Sequence, residues 1–179
     1  MQLPLAAIVH DEPGIANQLL SDFAARTRAQ GWRVRGLVQN PEPAERSVCY
    51  HHMELIDIEL GERYLISQNL GSGSSACCLN PAGVSAASVV LRRALDEQPD
   101  LIIANRFGVL EAEGSGLADE IAAVVQAGIP LITAVARRHQ QAWEHFSGGW
   151  ALALPPEAEA LDAWWHTQCS ALQTAKAAP

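Results

Sequence analysis

Five short apolar runs, Leu5–His10, Trp32–Gln39, Leu101–Ala104, Ile129–Val135 and Trp150–Leu154, alternate with longer segments whose apolar side chains recur at helical spacing. That alternation constrains the fold most, because strands joined through helices pair in parallel and the helices cover both faces of the sheet. Ile15–Gln30 carries Ile15, Leu19, Leu20, Phe23 and Ala24 at helical spacing and ends at Gly31. Pro81–Glu97 repeats the pattern with Val84, Ala87, Ser88, Leu91 and Leu95, and helices follow at Leu117–Ala127, Arg138–Phe146 and Glu157–Thr174. The expected fold class is α/β, with a mostly parallel sheet and helices on both faces.

One stretch departs from the alternation. Met53, Leu55, Ile56 and Ile58 precede Gly61, and Tyr64, Leu65 and Ile66 follow it, which predicts an inserted β-hairpin within about residues 48–70. The 179 residues, 49% of them apolar, suffice for one sizeable core and are short for two, so residues 1–179 read as a single domain ending in a helix at about 157–174. Trp143, Trp150, Trp164 and Trp165 are expected to pack that terminal helix.

The formal net charge of -8 disfavours nucleic acid and anionic membrane surfaces, both of which require a positive field. The N-terminus has no basic start and meets Asp11 and Glu12 before a leader-length apolar run develops, and no run of about 18 apolar residues occurs. A cytoplasmic protein without membrane insertion is expected, its four cysteines reduced.

Chemistry concentrates after the strand at Leu101. Asn105, Arg106, Glu111 and Glu113 fall within a few residues of one another, at the carboxyl edge where open α/β sheets hold ligands. Arg137 and Arg138 follow another strand and should reach the same edge, and guanidinium forks suit oxyanions. Gly71-Ser72-Gly73-Ser74-Ser75 offers converging N–H groups and hydroxyls to a tetrahedral anion. Each has a plainer reading: the Gly/Ser stretch as a solvated linker, Arg137 and Arg138 as a solvated helix start, Arg106 as a partner of Glu111 or Glu113. Lys176, in the C-terminal tail, is the only lysine, so no ammonium group in the body of the fold can grip an anion.

Cys49, His51, His52, Met53, Cys77 and Cys78 form a soft-ligand set if the hairpin folds over the Gly/Ser loop, with Cys49 and Cys77 as candidate metal ligands. Their spacing matches no paired zinc signature, and ordinary buried thiols beside a surface histidine pair are the favoured reading. No nucleophile elbow and no GxGxxG is present, which removes serine-hydrolase and dinucleotide readings.

The order strand, turn, helix, Gly31-Trp-Arg-Val-Arg-Gly-Leu-Val38, hairpin, Gly-rich loop, helix, Asp100-Leu-Ile-Ile-Ala-Asn105, loop, helix and Ile129-Pro-Leu-Ile-Thr-Ala-Val135 resembles the small nucleoside-triphosphatase branch of P-loop proteins over about residues 3–154. More closely, Ile66-Ser-Gln-Asn-Leu-Gly71, Cys77–Pro81 and Asn105-Arg-Phe-Gly-Val-Leu-Glu-Ala-Glu-Gly114 resemble an uncharacterised bacterial domain family often encoded beside molybdate-transport genes and sometimes labelled as those transporters' ATP-binding proteins. The phosphate loop is degenerate. A working one reads G-x-x-x-x-G-K-[ST], whereas His10-Asp11-Glu12-Pro13-Gly14-Ile15-Ala16-Asn17 has no lysine, no hydroxyl at the metal position and two carboxylates, each costing about 1–4 kcal/mol against a like charge at about 4 Å.

Three functions follow. The first is a non-hydrolytic accessory protein that binds a small oxyanion, which the resemblance suggests to be molybdate, through the Gly/Ser loop and Arg106, with Asn105 and Glu111 shaping the pocket. The second is a nucleotide hydrolase or transferase using Glu111 or Glu113 with magnesium. The third is a soft-metal carrier. The partners left open are a second copy of the chain and, from the resemblance, a molybdenum-handling protein.

Overall fold

The computed structural model describes residues 4–40, 53–68 and 79–177. Strand β1 (Leu5–His10) leads into helix α1 (Pro13–Ala29), then β2 (Val34–Gln39), the hairpin strands β3 (Glu54–Asp57) and β4 (Arg63–Leu65), and α2 (Pro81–Glu97). Strand β5 (Leu101–Phe107), α3 (Val109–Ala112), α4 (Ala118–Gln126) and β6 (Leu131–Ala136) follow. A 3-10 turn (Arg137–His139), α5 (Gln140–Phe146), β7 (Leu152–Leu154) and α6 (Ala158–Ala177) complete the described chain.

These strands form one sheet in the order β4-β3-β2-β5-β6-β1-β7. The five strands β2, β5, β6, β1 and β7 run parallel, and the hairpin adds to the β2 edge antiparallel, with Leu37 opposite Asp57. The turn at residues 58–62 is where Gly61 was expected to reverse the chain, and Gly61 has φ +71°, a conformation that disfavours other residues. Among the described residues no helix is long and apolar enough to cross a membrane.

Side-chain alternation divides the core into two layers. On one face Ala6, Ile8, Leu101 and Ile103 meet Leu20 and Phe23 of α1 and Leu161, Trp164 and Trp165 of α6. On the other face Leu37, Ile102 and Ala104 meet Val84, Ala87 and Leu91 of α2 and Ile121 and Val124 of α4. Each such fully buried large side chain stabilises the fold by about 1.5–3 kcal/mol relative to exposure. The tryptophans divide differently from expectation. Trp164 and Trp165 pack α6 against α1, with Trp165 edge-on to Phe23 and Trp32, but Trp143 packs on Phe107 and Phe146 in the opposite layer, and Trp150 is 58% exposed.

Strand β5 runs three residues past its expected end, so Asn105 and Arg106 lie in the strand. Ala104 pairs with Thr133 and Phe107 with Val135, which leaves one extra residue on β5, a β-bulge. The Asn105–Arg106 peptide within the bulge is cis. Thr133 bridges the gap: its hydroxyl donates to the Ala104 carbonyl at 2.6 Å and accepts the Phe107 N–H at 3.1 Å. The bulge therefore sits at the carboxyl edge of the sheet, where bulges re-aim side chains.

Candidate functional site

A cavity of about 200 Å³ opens at that carboxyl edge, on the face covered by α2 and α4. Gln39 at the end of β2, Asn105 and Arg106 in the β5 bulge, Glu111 in α3, and Arg138 and His139 after β6 all line it. Four of the residues singled out in the sequence, Asn105, Arg106, Glu111 and Arg138, thus come to one place. Arg137 and Glu113 do not line the cavity. The Arg137 guanidinium bonds the exposed Asp11 carboxylate at 3.0 Å, and Glu113 is exposed at the end of α3. That hydrogen bond to Arg137 holds the Asp11 carboxyl below its ordinary range. Gly71, Ser72, Gly73, Ser74, Ser75, Cys49, His51, His52, Cys77 and Cys78 lie outside the described residues.

Glu111 serves the loop around it. Its Oε2 accepts the Gly108 N–H and its Oε1 the Leu117 N–H, both at 2.9 Å, and the residue is 6% exposed. The Gly114-Ser-Gly116 segment turns inward: the Gly114 and Ser115 N–H groups bond the Glu111 and Leu110 carbonyls, and the Leu117 N–H that follows bonds this carboxylate. With both Glu111 oxygens engaged and the neutral Asn105 at the end of β5, these residues do not fit a magnesium ion. Among the described residues no group of three or more His, Cys, Asp or Glu could hold a metal ion.

Apart from Asn105, sequence reasoning missed the buried polar groups around this edge. His10, Asn17, Gln39 and Asn105 are each at most 2% exposed. Asn105 donates through Nδ2 to Asn17 Oδ1 at 3.0 Å, but Asn105 Oδ1, Asn17 Nδ2, both ring nitrogens of His10 and both amide atoms of Gln39 have no hydrogen-bond partner among the described residues. Buried polar groups are nearly always satisfied, so these orphaned atoms set this edge apart from the rest of the core; of the four residues, Gln39 and Asn105 line the cavity and His10 and Asn17 do not. The available signal was positional: His10 and Gln39 are the last residues of parallel strands, where polar side chains face the ligand crevice.

The electrostatics agree in sign. Burial, then the charges of Arg106 and Arg138, lower the His10 pKa against a smaller opposing pull from Asp11. His139 is lowered by burial and then by Arg138 and Arg106. Arg138 also donates from Nε to His139 Nε2 at 3.2 Å, and it has no ion pair among the described residues. The edge therefore carries positive potential and two imidazoles biased toward the neutral form, which suits an anion.

Fold and site together define an α/β protein of P-loop-triphosphatase-like topology with an inserted hairpin and a degenerate phosphate loop. The chain belongs to the family described as "Protein of unknown function (DUF2478)", whose model matches residues 5–164. Over 169 residues, 94% of its length, it is 38% identical to a protein of Bradyrhizobium diazoefficiens named molybdenum import ATP-binding protein ModC 2. The chain spans only 19% of that relative, so the name describes a protein several times longer than the shared stretch. No solved structure matches the chain.

Proposed function

We propose that the chain binds a small oxyanion at the carboxyl edge of its sheet, between Arg106 and Arg138, without hydrolysing a nucleotide. The observation that carries this reading is that Arg106 and Arg138, brought there by the neighbouring strands β5 and β6, line one cavity at the carboxyl edge of the sheet. Guanidinium forks bond oxyanions in pairs, and of the two Arg106 is half-buried while Arg138 is exposed. Molybdate is the first anion to test because the relative's name concerns molybdenum import, and a molybdenum-handling protein is accordingly the partner to seek. Hydrolysis is disfavoured by the β1–α1 turn, which holds Asp11 and Glu12 and no lysine, and by Glu111, whose oxygens are taken by the backbone.

Isothermal titration with molybdate, tungstate, sulfate and phosphate tests the reading, alongside phosphate release from a nucleotide panel with magnesium. At least one oxyanion should bind and no nucleotide should be hydrolysed. Silence from all four anions, or turnover lost in Glu111→Gln, overturns the proposal.

A further inference from the structure

The cavity that Arg106 and Arg138 line is otherwise walled largely by aliphatic side chains. Met53 and Leu55 come from the start of the hairpin, Ile66 from just beyond β4, Leu79 and Val84 from around the start of α2, and Leu117 from the residue before α4. The remaining polar residues add little to this wall. Both amide atoms of Gln39 and the Asn105 Oδ1 are closed off from it, Asn105 Nδ2 donates to Asn17, and both Glu111 oxygens accept backbone N–H groups. The body of a ligand therefore meets hydrocarbon there, and charge only where the arginines stand.

That lining does not suit a bare inorganic anion, because aliphatic side chains can strip its hydration and return nothing. Apolar walls with a few placed polar groups are the usual lining of a site for an organic molecule. Volume sets the size of its body. A dry apolar cavity of about 150 Å³ holds a benzene ring, so about 200 Å³ holds a body of about six to eight carbons. Charge sets the other end: a carboxylate is planar, matches a guanidinium fork, and brings a single charge to an apolar wall where a second would add to the desolvation cost.

We propose that the ligand is an amphiphilic monocarboxylate, with an aliphatic or aryl body of about six to eight carbons in the cavity and its carboxylate at Arg106 and Arg138. The inference rests on the anion reading above and adds the body that bears the anion. That body lies on the α2 and α4 face of the sheet, opposite the face on which α1 packs.

Isothermal titration of the full chain with acetate, butanoate, hexanoate, octanoate, dodecanoate, phenylacetate and 1-hexanol separates the parts. Affinity should rise about fourfold for each CH₂ added from acetate to hexanoate, with a heat-capacity change that grows more negative, and should stop rising beyond octanoate. Phenylacetate should bind at least about tenfold tighter than acetate. Val84→Phe, which fills the cavity, should remove most of the rise with chain length, and Leu79→Asn, at a partly buried position, should reduce it if the phenylalanine variant folds poorly. Arg138→Ala should weaken every carboxylate about tenfold and leave 1-hexanol unaffected. If affinity does not rise with chain length, climbs undiminished to dodecanoate, or rises as before in both wall variants, the inference fails while oxyanion binding stands. If 1-hexanol binds as tightly as hexanoate and Arg138→Ala changes nothing, the anion reading fails instead.

Discussion

Glu111 Oε1 accepts the backbone N–H of Leu117 at 2.9 Å, while its other oxygen accepts that of Gly108, so one carboxylate pins both ends of the loop that walls the cavity. Glu111→Gln replaces one acceptor with an amide N–H facing another N–H. Leaving a buried donor unsatisfied costs about 1–3 kcal/mol. At about 2–4 °C per kcal/mol for a chain of this size, the thermal midpoint followed by circular dichroism should fall by several degrees. An unchanged midpoint would show that the carboxylate is not needed to hold the loop.

The two consecutive arginines should behave differently. Arg138 lines the cavity, whereas Arg137 bonds Asp11 on the surface. A charge-assisted hydrogen bond contributes about 1.5–3 kcal/mol, so Arg138→Ala should weaken oxyanion affinity roughly ten- to hundredfold. Arg137→Ala should change it less than about twofold, the ordinary scale for a solvated surface charge. Calorimetric titration of both variants checks the contrast, and equal losses would place the anion elsewhere.

Acid should destabilise this protein in a window set by its histidines. His10 and His139 both have pKa values lowered from 6.5 in the fold, by burial first and then by the two arginines. Between the lowered values and 6.5 the unfolded chain holds more protons, so stability rises with pH across that interval and is lost as pH falls through it. Urea midpoints should drop from about pH 7 to about pH 5.5, and His10→Gln should flatten part of the slope. A bound anion offsets the arginines and raises both pKa values, so its affinity should increase as pH falls over the same range. A flat stability profile would contradict the buried, neutral His10.

Helix α2 shows what local chemistry makes legible. The sequence places it at Pro81–Glu97, and the structure agrees to the residue, because Pro81 starts the helix and the Asn80 side chain accepts the N–H groups of Ala82 and Gly83. The convergence of Arg106 and Arg138 was legible from strand order alone. The bulge in β5 was not, since the group that bridges it, Thr133, lies on the next strand. Gln39 also read as the polar end of a strand; its burial arises when the hairpin and α2 close over that end. The need for glycine at position 36 was not legible either: its φ is +111° and a Cβ there would lie 2.1 Å from the Ile103 carbonyl oxygen on the neighbouring strand.

Asp57 anchors the hairpin through contacts equally invisible to sequence. It is 1% exposed, its Oδ1 accepts the N–H groups of Glu59 at 2.8 Å and Leu60 at 3.2 Å, and its Oδ2 meets Arg93 of α2. The carboxylate therefore shapes the turn and ties it to the helix that walls the cavity. Asp57→Asn can keep one turn acceptor but removes the charge and turns an amide donor toward an N–H or toward guanidinium. Losing charge-assisted bonds at a buried acid costs about 1.5–3 kcal/mol. Asp57→Ala should cost more, about 3–5 kcal/mol, because the guanidinium is left without its buried partner. Hydrogen exchange should localise the loss to β3, β4 and the last turns of α2, around Arg93, before the parallel strands respond. Uniform weakening of every strand at once would show that the hairpin folds only as part of the whole sheet.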